Sequence, residues 1–335
     1  MMLFPWGWWP DALEASSSAW EGGALLACVP ALAIVIDRLL GEPPARWHPV
    51  VWMGRWLGWA GRRLAPEADR PAAWSSQRVF WWAACAWCAA AIAVFAVSWL
   101  IQRWVLTQPV WLAALALGLF LKPLLSWAML HDEVLAVEQG LMQSLETGRV
   151  QLARLVSRDV NSLTAGEVRE SAIESLAENL NDSVVAPLFW FLLLGLPGAA
   201  LFRFANTADA MWGYPGARGG RDWQWAGKWA ARADDVLCWL PARITAGLIG
   251  ILGGLRGWSQ LPDQARRTPS PNSGWPMAAM ALTLGVRLRK PDVYTLNSPG
   301  RVPEPTDTLR ACAIGSRTVL GATLLACGAL LAVLA

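Results

Sequence analysis

Charge is scarce in this chain. Of its 335 residues only 16% are Asp, Glu, Lys or Arg, 55% are hydrophobic, and mean hydropathy is +0.34. Soluble domains carry about 25% charged residues, so an ordinary water-soluble class is excluded. A net charge of +3 is too small to imply nucleic acid as a partner. No Lys or Arg precedes Arg38, so the basic n-region of a secretory signal peptide is missing. A phosphate loop of the form Gly-x-x-x-x-Gly-Lys-Ser/Thr is also missing, since Gly227-Lys228 lacks both the first Gly and the hydroxyl residue. There is no Gly-x-Ser-x-Gly, no His-Glu-x-x-His and no paired Cys-x-x-Cys. Cys85 and Cys88 form a single Cys-x-x-Cys inside a run of Ala and Trp without a nearby His, and read as small apolar membrane residues. No internal repeat and no disordered tail is evident.

What the chain does have is apolar length. A membrane helix needs about 20 apolar residues, and residues 22–40, 79–101, 109–130 and 318–335 supply four candidates. Two further apolar runs are interrupted. Residues 184–202 contain Pro187, Gly195 and Pro197, and residues 236–255 contain Pro241 and Arg243. Interior Pro breaks helical hydrogen bonding and an intramembrane Arg must face protein or water, so both are expected to be broken or re-entrant segments. Trp is abundant at 24 residues, many near the ends of apolar runs (Trp6, Trp8, Trp9, Trp81, Trp82, Trp99, Trp104), as interfacial aromatic belts require.

Loop charge sets the expected orientation. Residues 1–23 hold no Lys or Arg, whereas 41–78 hold six and 256–317 hold nine, which places the N-terminus outside and these loops in the cytoplasm. The fold class is therefore an all-α, polytopic integral membrane protein. It is expected to have about four spanning helices, two broken or re-entrant segments and a cytoplasmic helical insertion at 131–183. The whole of 1–335 reads as one membrane-embedded domain, with the polar loops 203–235 and 256–317 forming the candidate site. Within the insertion, Thr164-Ala-Gly-Glu167 is a capping box that fixes a helix start near Thr164. Gly250 and Gly254 have the spacing of a helix-packing pair.

Glu170, Glu174, Glu178 and Asp182 recur every four residues just before the 184–202 run. Neighbours at that spacing share a helix face and repel by a few tenths of a kcal/mol per pair. With no Lys between Lys122 and Lys228, the stripe implies either a solvated face or a bound hard cation. A second cluster, Asn206-Thr207-x-Asp209 with Gly213-Tyr214, follows an apolar run; as a purely structural element it would be a helix cap and turn. Arg232, Asp234 and Asp235 with Pro241 and Arg243 would suit a charged substrate or a metal–phosphate group, or interfacial snorkelling. His48-Pro49 and Ser270-Pro271-Asn272 are weaker alone and are compatible with turn chemistry.

Taken in order, six blocks resemble the CobD/CbiB family of cobalamin biosynthesis, the adenosylcobinamide-phosphate synthases. They are Asp37–Pro43 with His48-Pro49-Val50; Arg158-Asp159; Glu174–Asp182 running into Ala186–Trp190; Asn206–Tyr214; Ala231–Asp235 through Arg243; and Pro269–Pro276 with Leu284–Val286. The resemblance covers about residues 24–317. It implies an inner-membrane ligase, working at the cytoplasmic face, that joins aminopropanol or its O-phosphate to a propionate carboxyl of (adenosyl)cobyric acid at the expense of ATP. On that reading Glu174, Glu178, Asp182 and Arg158 are catalytic. Glu178, Asp182, Asp209, Asp234 and Asp235 hold Mg2+. His48, Asn206, Thr207, Tyr214, Arg232, Arg243, Ser270 and Asn272 bind substrate. Expected partners are the corrinoid, the amino alcohol and membrane lipid, with a second copy of the chain and other corrinoid-pathway enzymes as further candidates. The chain departs from the family pattern at Thr268, where a His is expected, and at Met277, Glu42 and Val160. A non-catalytic membrane sensor of the AmpE type is the alternative. A transporter would require two matching broken-helix halves, and the two interrupted runs share no evident symmetry.

Overall fold

A computed structural model of the chain describes residues 19–69 and 74–334. Trp6, Trp8, Trp9 and Arg70, used above, lie outside the described residues. In chain order the helices are α1 (Ala19–Ala27), α2 (Val29–Leu40), α3 (Pro49–Leu64), α4 (Ser76–Val105), α5 (Val110–Leu121), α6 (Trp127–Gln143), α7 (Leu145–Leu152), α8 (Ala165–Leu180), α9 (Ala186–Leu194), α10 (Leu196–Trp212), α11 (Lys228–Gly253), α12 (Leu261–Ala265), α13 (Gly274–Leu284) and α14 (Pro305–Leu334). Two short antiparallel hairpins interrupt them, β1 (Ala217–Arg218) with β2 (Arg221–Asp222), and β3 (Leu288–Lys290) with β4 (Tyr294–Leu296). The protein is thus all-α, and four helical stretches are long and apolar enough to cross a membrane: Ser76–Val105, Val110–Gln143, Lys228–Gly253 and Pro305–Leu334.

Two of the apolar runs read from sequence are corrected. Residues 236–255 are not broken: they belong to the continuous α11, with Pro241 accommodated inside it. Residues 22–40 are not one helix, because α1 stops before Cys28 and Pro30 sits in the first turn of α2, where a missing N–H is tolerated. The expected break within 184–202 is present. Gly195, at φ +70°, separates α9 from α10, and Gln102 Oε1 accepts the buried Leu196 N–H at 2.7 Å. Lys122-Pro123 is absorbed as a 3-10 turn, Lys122–Leu124, inside the Val110–Gln143 stretch. The last span begins earlier than its apolar run. Asp307 in the first turn of α14 is fully buried, paired with Arg301 at 2.5 Å and Arg310 at 3.4 Å.

The chain divides into two compact units. Met1–Leu125, Pro187–Leu237 and Ala326–Ala335 form the first; Ser126–Ala186 and Cys238–Leu325 form the second. In the first, α4 packs along α10 and α3, and Leu57, Trp87, Phe204 and Trp212 centre an apolar core. The outward side of α4 presents Trp81, Trp82, Ile92, Val97, Leu100 and Trp104, all exposed. From Trp81 to Trp104 an α-helix rises about 35 Å, close to the bilayer's hydrocarbon thickness of about 30 Å. The two Trp groups are therefore spaced as interfacial belts. Exposure here is exposure to lipid.

In the second unit α6, α7 and α13 pack around α8. Thr164 caps α8 as its sequence predicts: its hydroxyl accepts from Glu167 N, and the Glu167 carboxylate accepts from Thr164 N at 2.8 Å. Arg169 turns to α6, where its guanidinium grips Glu138 at 2.7–3.1 Å, and Thr308 Oγ1 donates to the same carboxylate at 2.9 Å. Gly250 meets the Trp258 ring and Gly254, at φ +79°, ends α11. That pair therefore closes a helix instead of packing two helices together.

Candidate functional site

The carboxylate stripe on α8 is not a solvated face. Glu170 is 0% exposed and Glu174 5%, so α8 buries this side and the solvated alternative does not hold for them. Cations absent from the local sequence arrive from elsewhere in the second unit. Arg287 reaches Glu170 at 3.3 Å, Arg289 lies 3.9 Å from Glu170 and 2.5 Å from Glu167, and Arg158 lies 3.4 Å from Glu174. Arg158 also donates to Ser171 Oγ. The alternation of buried Val286 and Leu288 with outward Arg287 and Arg289 is the period-two pattern of a strand. It delivers both guanidinia to one side of α8.

Burial raises the Glu174 carboxyl to about 7, only partly offset by Arg158. A carboxyl so placed can hold or release a proton near neutrality. Glu170 is raised for the same reason, against the pull of Arg287. Glu167, hydrogen-bonded by the Thr164 backbone and hydroxyl, is lowered. Tyr294 sits beside Glu174 and Glu178; burial first, then those two carboxylates, push its phenol upward, so it stays protonated. Arg158, Glu174, Glu178, Tyr294 and Lys290 therefore form one electrostatic group within the second unit.

Asp182, the last carboxylate of the stripe, lies beyond the end of α8. Helix α8 ends at Leu180 and a π-helical turn, Asn181–Val185, follows. Asp182 Oδ1 there accepts from Asn181 Nδ2 at 2.8 Å and lies 3.8 Å from Cys238 Sγ, while Thr245 Oγ1 donates to Asn181 Oδ1 at 3.0 Å. In the same unit Arg243 stacks over Trp239 and Trp275, at 4.5 and 4.8 Å, and donates to Asn272 Oδ1 at 2.7 Å. Ser270 Oγ accepts from Asn272 N and Ser273 N, both at 3.2 Å. Thr268, standing where a His was expected, is buried and donates to the carbonyls of Ala265 and Ser270. It supports the turn.

The first unit holds the remaining residues. His48 caps α3, its Nδ1 accepting from Val50 N, and its Nε2 lies 3.1 Å from Glu42 Oε2. Lys122, 4% exposed, reaches Glu42 at 2.9 Å and Asp37 at 3.4 Å. Burial raises the Glu42 carboxyl, but hydrogen bonds from His48 and Lys122 outweigh it and hold the group below its usual range. Asn206 and Thr207 are not a cap: they lie inside α10, and Thr207 Oγ1 donates back to Arg203 O at 2.7 Å. Asp209 is in the last turn of α10, its carbonyl accepting from Gly213 N at 2.7 Å; any Cβ on Gly213 would collide with its carboxylate. The Arg218 guanidinium covers the Tyr214 ring at 3.7 Å. Asp234 and Asp235 are half-buried on the first turns of α11, with Arg232 close enough to Asp235 to interact.

Of the five carboxylates expected to hold Mg2+, Glu178 and Asp182 belong to the second unit and Asp209, Asp234 and Asp235 to the first. Among the described residues no three His, Cys, Asp or Glu side chains gather as an all-protein cage would require. Mg2+ is also commonly held by one or two carboxylates together with substrate phosphates, a mode that needs no such cage. Tyr294, Lys290, Arg287, Arg289 and Lys122 were not singled out from sequence. Tyr294 carried a signal all the same, as one of only two Tyr in the chain.

Comparison with known proteins bears on the whole chain. A family model described as CobD/Cbib protein matches residues 30–316. A probable cobalamin biosynthesis protein CobD from Methanothermobacter thermautotrophicus is 40% identical over 309 residues, 90% of this chain and 97% of that protein. The cobalamin biosynthesis protein CobD of Chromobacterium violaceum is 42% identical over 271 residues, 77% of this chain and 79% of its own. A probable counterpart in Thermococcus kodakarensis is 38% identical, covering 87% and 91%. No solved structure matches.

Proposed function

This chain belongs to the CobD/CbiB family of cobalamin biosynthesis, and from that premise we propose that it is an ATP-dependent amide ligase. The reaction joins aminopropanol, or its O-phosphate, to a propionate carboxyl of (adenosyl)cobyric acid. A carboxylate oxygen attacks the γ-phosphorus of ATP and ADP leaves, giving an acyl phosphate. The amine nitrogen then attacks the acyl carbon, the C–O bond to phosphate breaks, and inorganic phosphate departs with the new amide left behind. Mg2+ bound with the nucleotide supplies charge neutralisation at the phosphates.

The observation that carries this reading is Glu174, buried between Arg158 and Tyr294 with its carboxyl near 7. An amine arrives as an ammonium and must lose a proton before it can attack. A carboxylate whose proton affinity matches the working pH is suited to take it. Arg158 then stabilises the carboxylate before transfer and faces the charge that develops on the acyl phosphate. Glu178 and Asp182 would hold Mg2+ on this unit, Asp209, Asp234 and Asp235 on the other. Arg232, Arg243, Asn206, Thr207, Tyr214, His48, Ser270 and Asn272 would orient the substrates. The Arg-rich loops support a site at the cytoplasmic face of the cell membrane, where ATP is available.

The test uses the purified full chain in detergent with cobyric acid, aminopropanol phosphate and Mg-ATP. Release of ADP and phosphate that requires both other substrates, and a product heavier than cobyric acid by aminopropanol phosphate less one water, is expected. Glu178→Gln and Asp182→Asn are expected to weaken Mg-ATP binding. Amide formation at wild-type rate in Glu174→Gln would remove that residue from catalysis, and amide formation without ATP hydrolysis would end the ligase reading.

A further inference from the structure

The first unit gathers cations at one end of α4 that the ligase chemistry does not use. Val79, in the first turn of α4, is buried in a small core with Ala65, Ala83 and Ala226, and Trp223 and Trp225 pack against it. Ala65 directly follows α3, and Ala226 lies two residues before α11. The β1–β2 hairpin is tied down beside them, since Asp222 N donates to Pro66 O at 2.9 Å and Ala68 N to Gly220 O at 3.0 Å. Val79 stands only about 3 Å along the helix axis from Trp81. Trp81 and Trp82 are exposed and mark that edge of the hydrocarbon. The end of α3 and the starts of α4 and α11 therefore meet at headgroup depth, on the side that loop charge assigns to the cytoplasm.

Arg62 and Arg63 in the last turn of α3, Arg78 in the first turn of α4 and Lys228 at the head of α11 all stand exposed at this corner. None of them has a carboxylate partner among the described residues. Arg63 instead stacks on Trp59 at 4.2 Å, and Lys228 on Trp225 at 4.3 Å. An aromatic face beneath a cation supports it while leaving its outer side free for an anion. Helix α3 contains no Asp or Glu. Of the carboxylates nearby, Glu67 lies 4.0 Å from Arg221, Asp222 accepts from Gln224 N at 2.9 Å, and Asp235 interacts with Arg232. Exposed Asp69 does not offset the remaining cations. Basic residues at this depth are drawn to the anionic lipids of the cytoplasmic leaflet. A zwitterionic headgroup would bring its own ammonium against them. Nucleotide phosphate has the same chemistry, but lipid phosphate is already present at the level of Trp81 and Trp82.

We propose that Arg62, Arg63, Arg78 and Lys228 form a docking surface for the phosphates of anionic phospholipids in the cytoplasmic leaflet, selecting them over zwitterionic ones. The proposal is independent of the ligase reading.

The full chain is reconstituted in nanodiscs of equal phosphatidylglycerol and phosphatidylcholine, with a trace of either lipid carrying a diazirine beside its phosphate. Photolysis with the glycerol probe is expected to label peptides containing Arg63 and Lys228 at least fivefold more than the choline probe does. Peptides containing Trp104, at the other end of α4, are expected to show no such excess. The variant combining Arg62→Gln, Arg63→Gln, Arg78→Gln and Lys228→Gln leaves the Val79 core untouched and is expected to erase the excess. Native mass spectrometry after gentle detergent release is expected to retain at least fivefold less phosphatidylglycerol on that variant than on the unaltered chain. Equal labelling by both probes, an excess of the same size at Trp104, or an undiminished excess in the variant would mean annular lipid only and overturn the proposal. Loss of the excess on adding Mg-ATP would assign these cations to nucleotide phosphate and overturn it as well. The labelling pattern on the unaltered chain decides the matter should the variant not fold.

Discussion

Replacing Glu174 with Gln keeps the side chain's volume and leaves Arg158 an acceptor, but removes the proton. The native carboxyl is raised from 4.5 to about 7 by burial, and one pKa unit corresponds to about 1.4 kcal/mol. Ionising Glu174 therefore opposes folding by about 3 kcal/mol. The folded chain binds this proton more tightly than the unfolded chain does, so the stability it contributes is complete below 4.5 and lost as pH climbs to about 7. The predicted observable is a difference of slopes. Thermal unfolding in detergent, followed from about pH 5 to about pH 8, should show wild type losing stability relative to Glu174→Gln by about 3 kcal/mol. The offset between the two proteins at any one pH also contains whatever Arg158 loses, so only the slope is diagnostic. Amide formation should separate them too, with wild-type kcat/KM rising through about pH 7 and the variant slower by a factor of about 10²–10⁴. Parallel stability curves would refute the claim that Glu174 is held protonated by burial, whatever the activity.

Three further outcomes follow from the packing. Lys122→Met removes the ammonium facing Asp37 and Glu42 and should cost about 3–5 kcal/mol; Lys122→Met/Glu42→Gln should recover part of the loss in the same melt, and an unchanged Tm in the single variant would count against the buried triad. Gly195→Ala and Gly254→Ala both place Cβ at positive φ, costing about 1–2 kcal/mol, but only at Gly195 would it strike the Gln102 amide. Gly195→Ala should therefore melt lower than Gly254→Ala, and equal Tm values would argue that Gln102 does not hold the α9–α10 break. Thr164→Ala removes the cap of α8 and should lower stability by about 1 kcal/mol, read by chemical denaturation; a change below a few tenths would show the capping box to be dispensable.

Local chemistry made some of this legible in the sequence. The Thr164–Glu167 capping box lies within four residues and fixed a helix start correctly, because both partners are in one turn. The Gly195 break was legible for the same reason. What could not be read were charges satisfied from afar. The stripe of Glu170 and Glu174 left a solvated face and a bound cation both open, and its actual partner Arg287 comes from 117 residues away. Continuity of α11 was misread from Pro241, since sequence shows a missing donor but not the packing that tolerates it. The π-helical turn that carries Asp182 left no periodicity signal, being only five residues long. Candidate residues were found as types and neighbourhoods, while their pairings awaited coordinates.

The Trp groups at the two ends of α4 have a bearing on more than anchorage. Their separation slightly exceeds an average hydrocarbon core, a mismatch that a bilayer meets by tilting or kinking the helix or by thickening locally. Gln102, near one end of that helix, is bonded to the first residue of α10, whose far end carries Asp209. A single amide thus ties the lipid-facing helix to the helix that carries a polar motif.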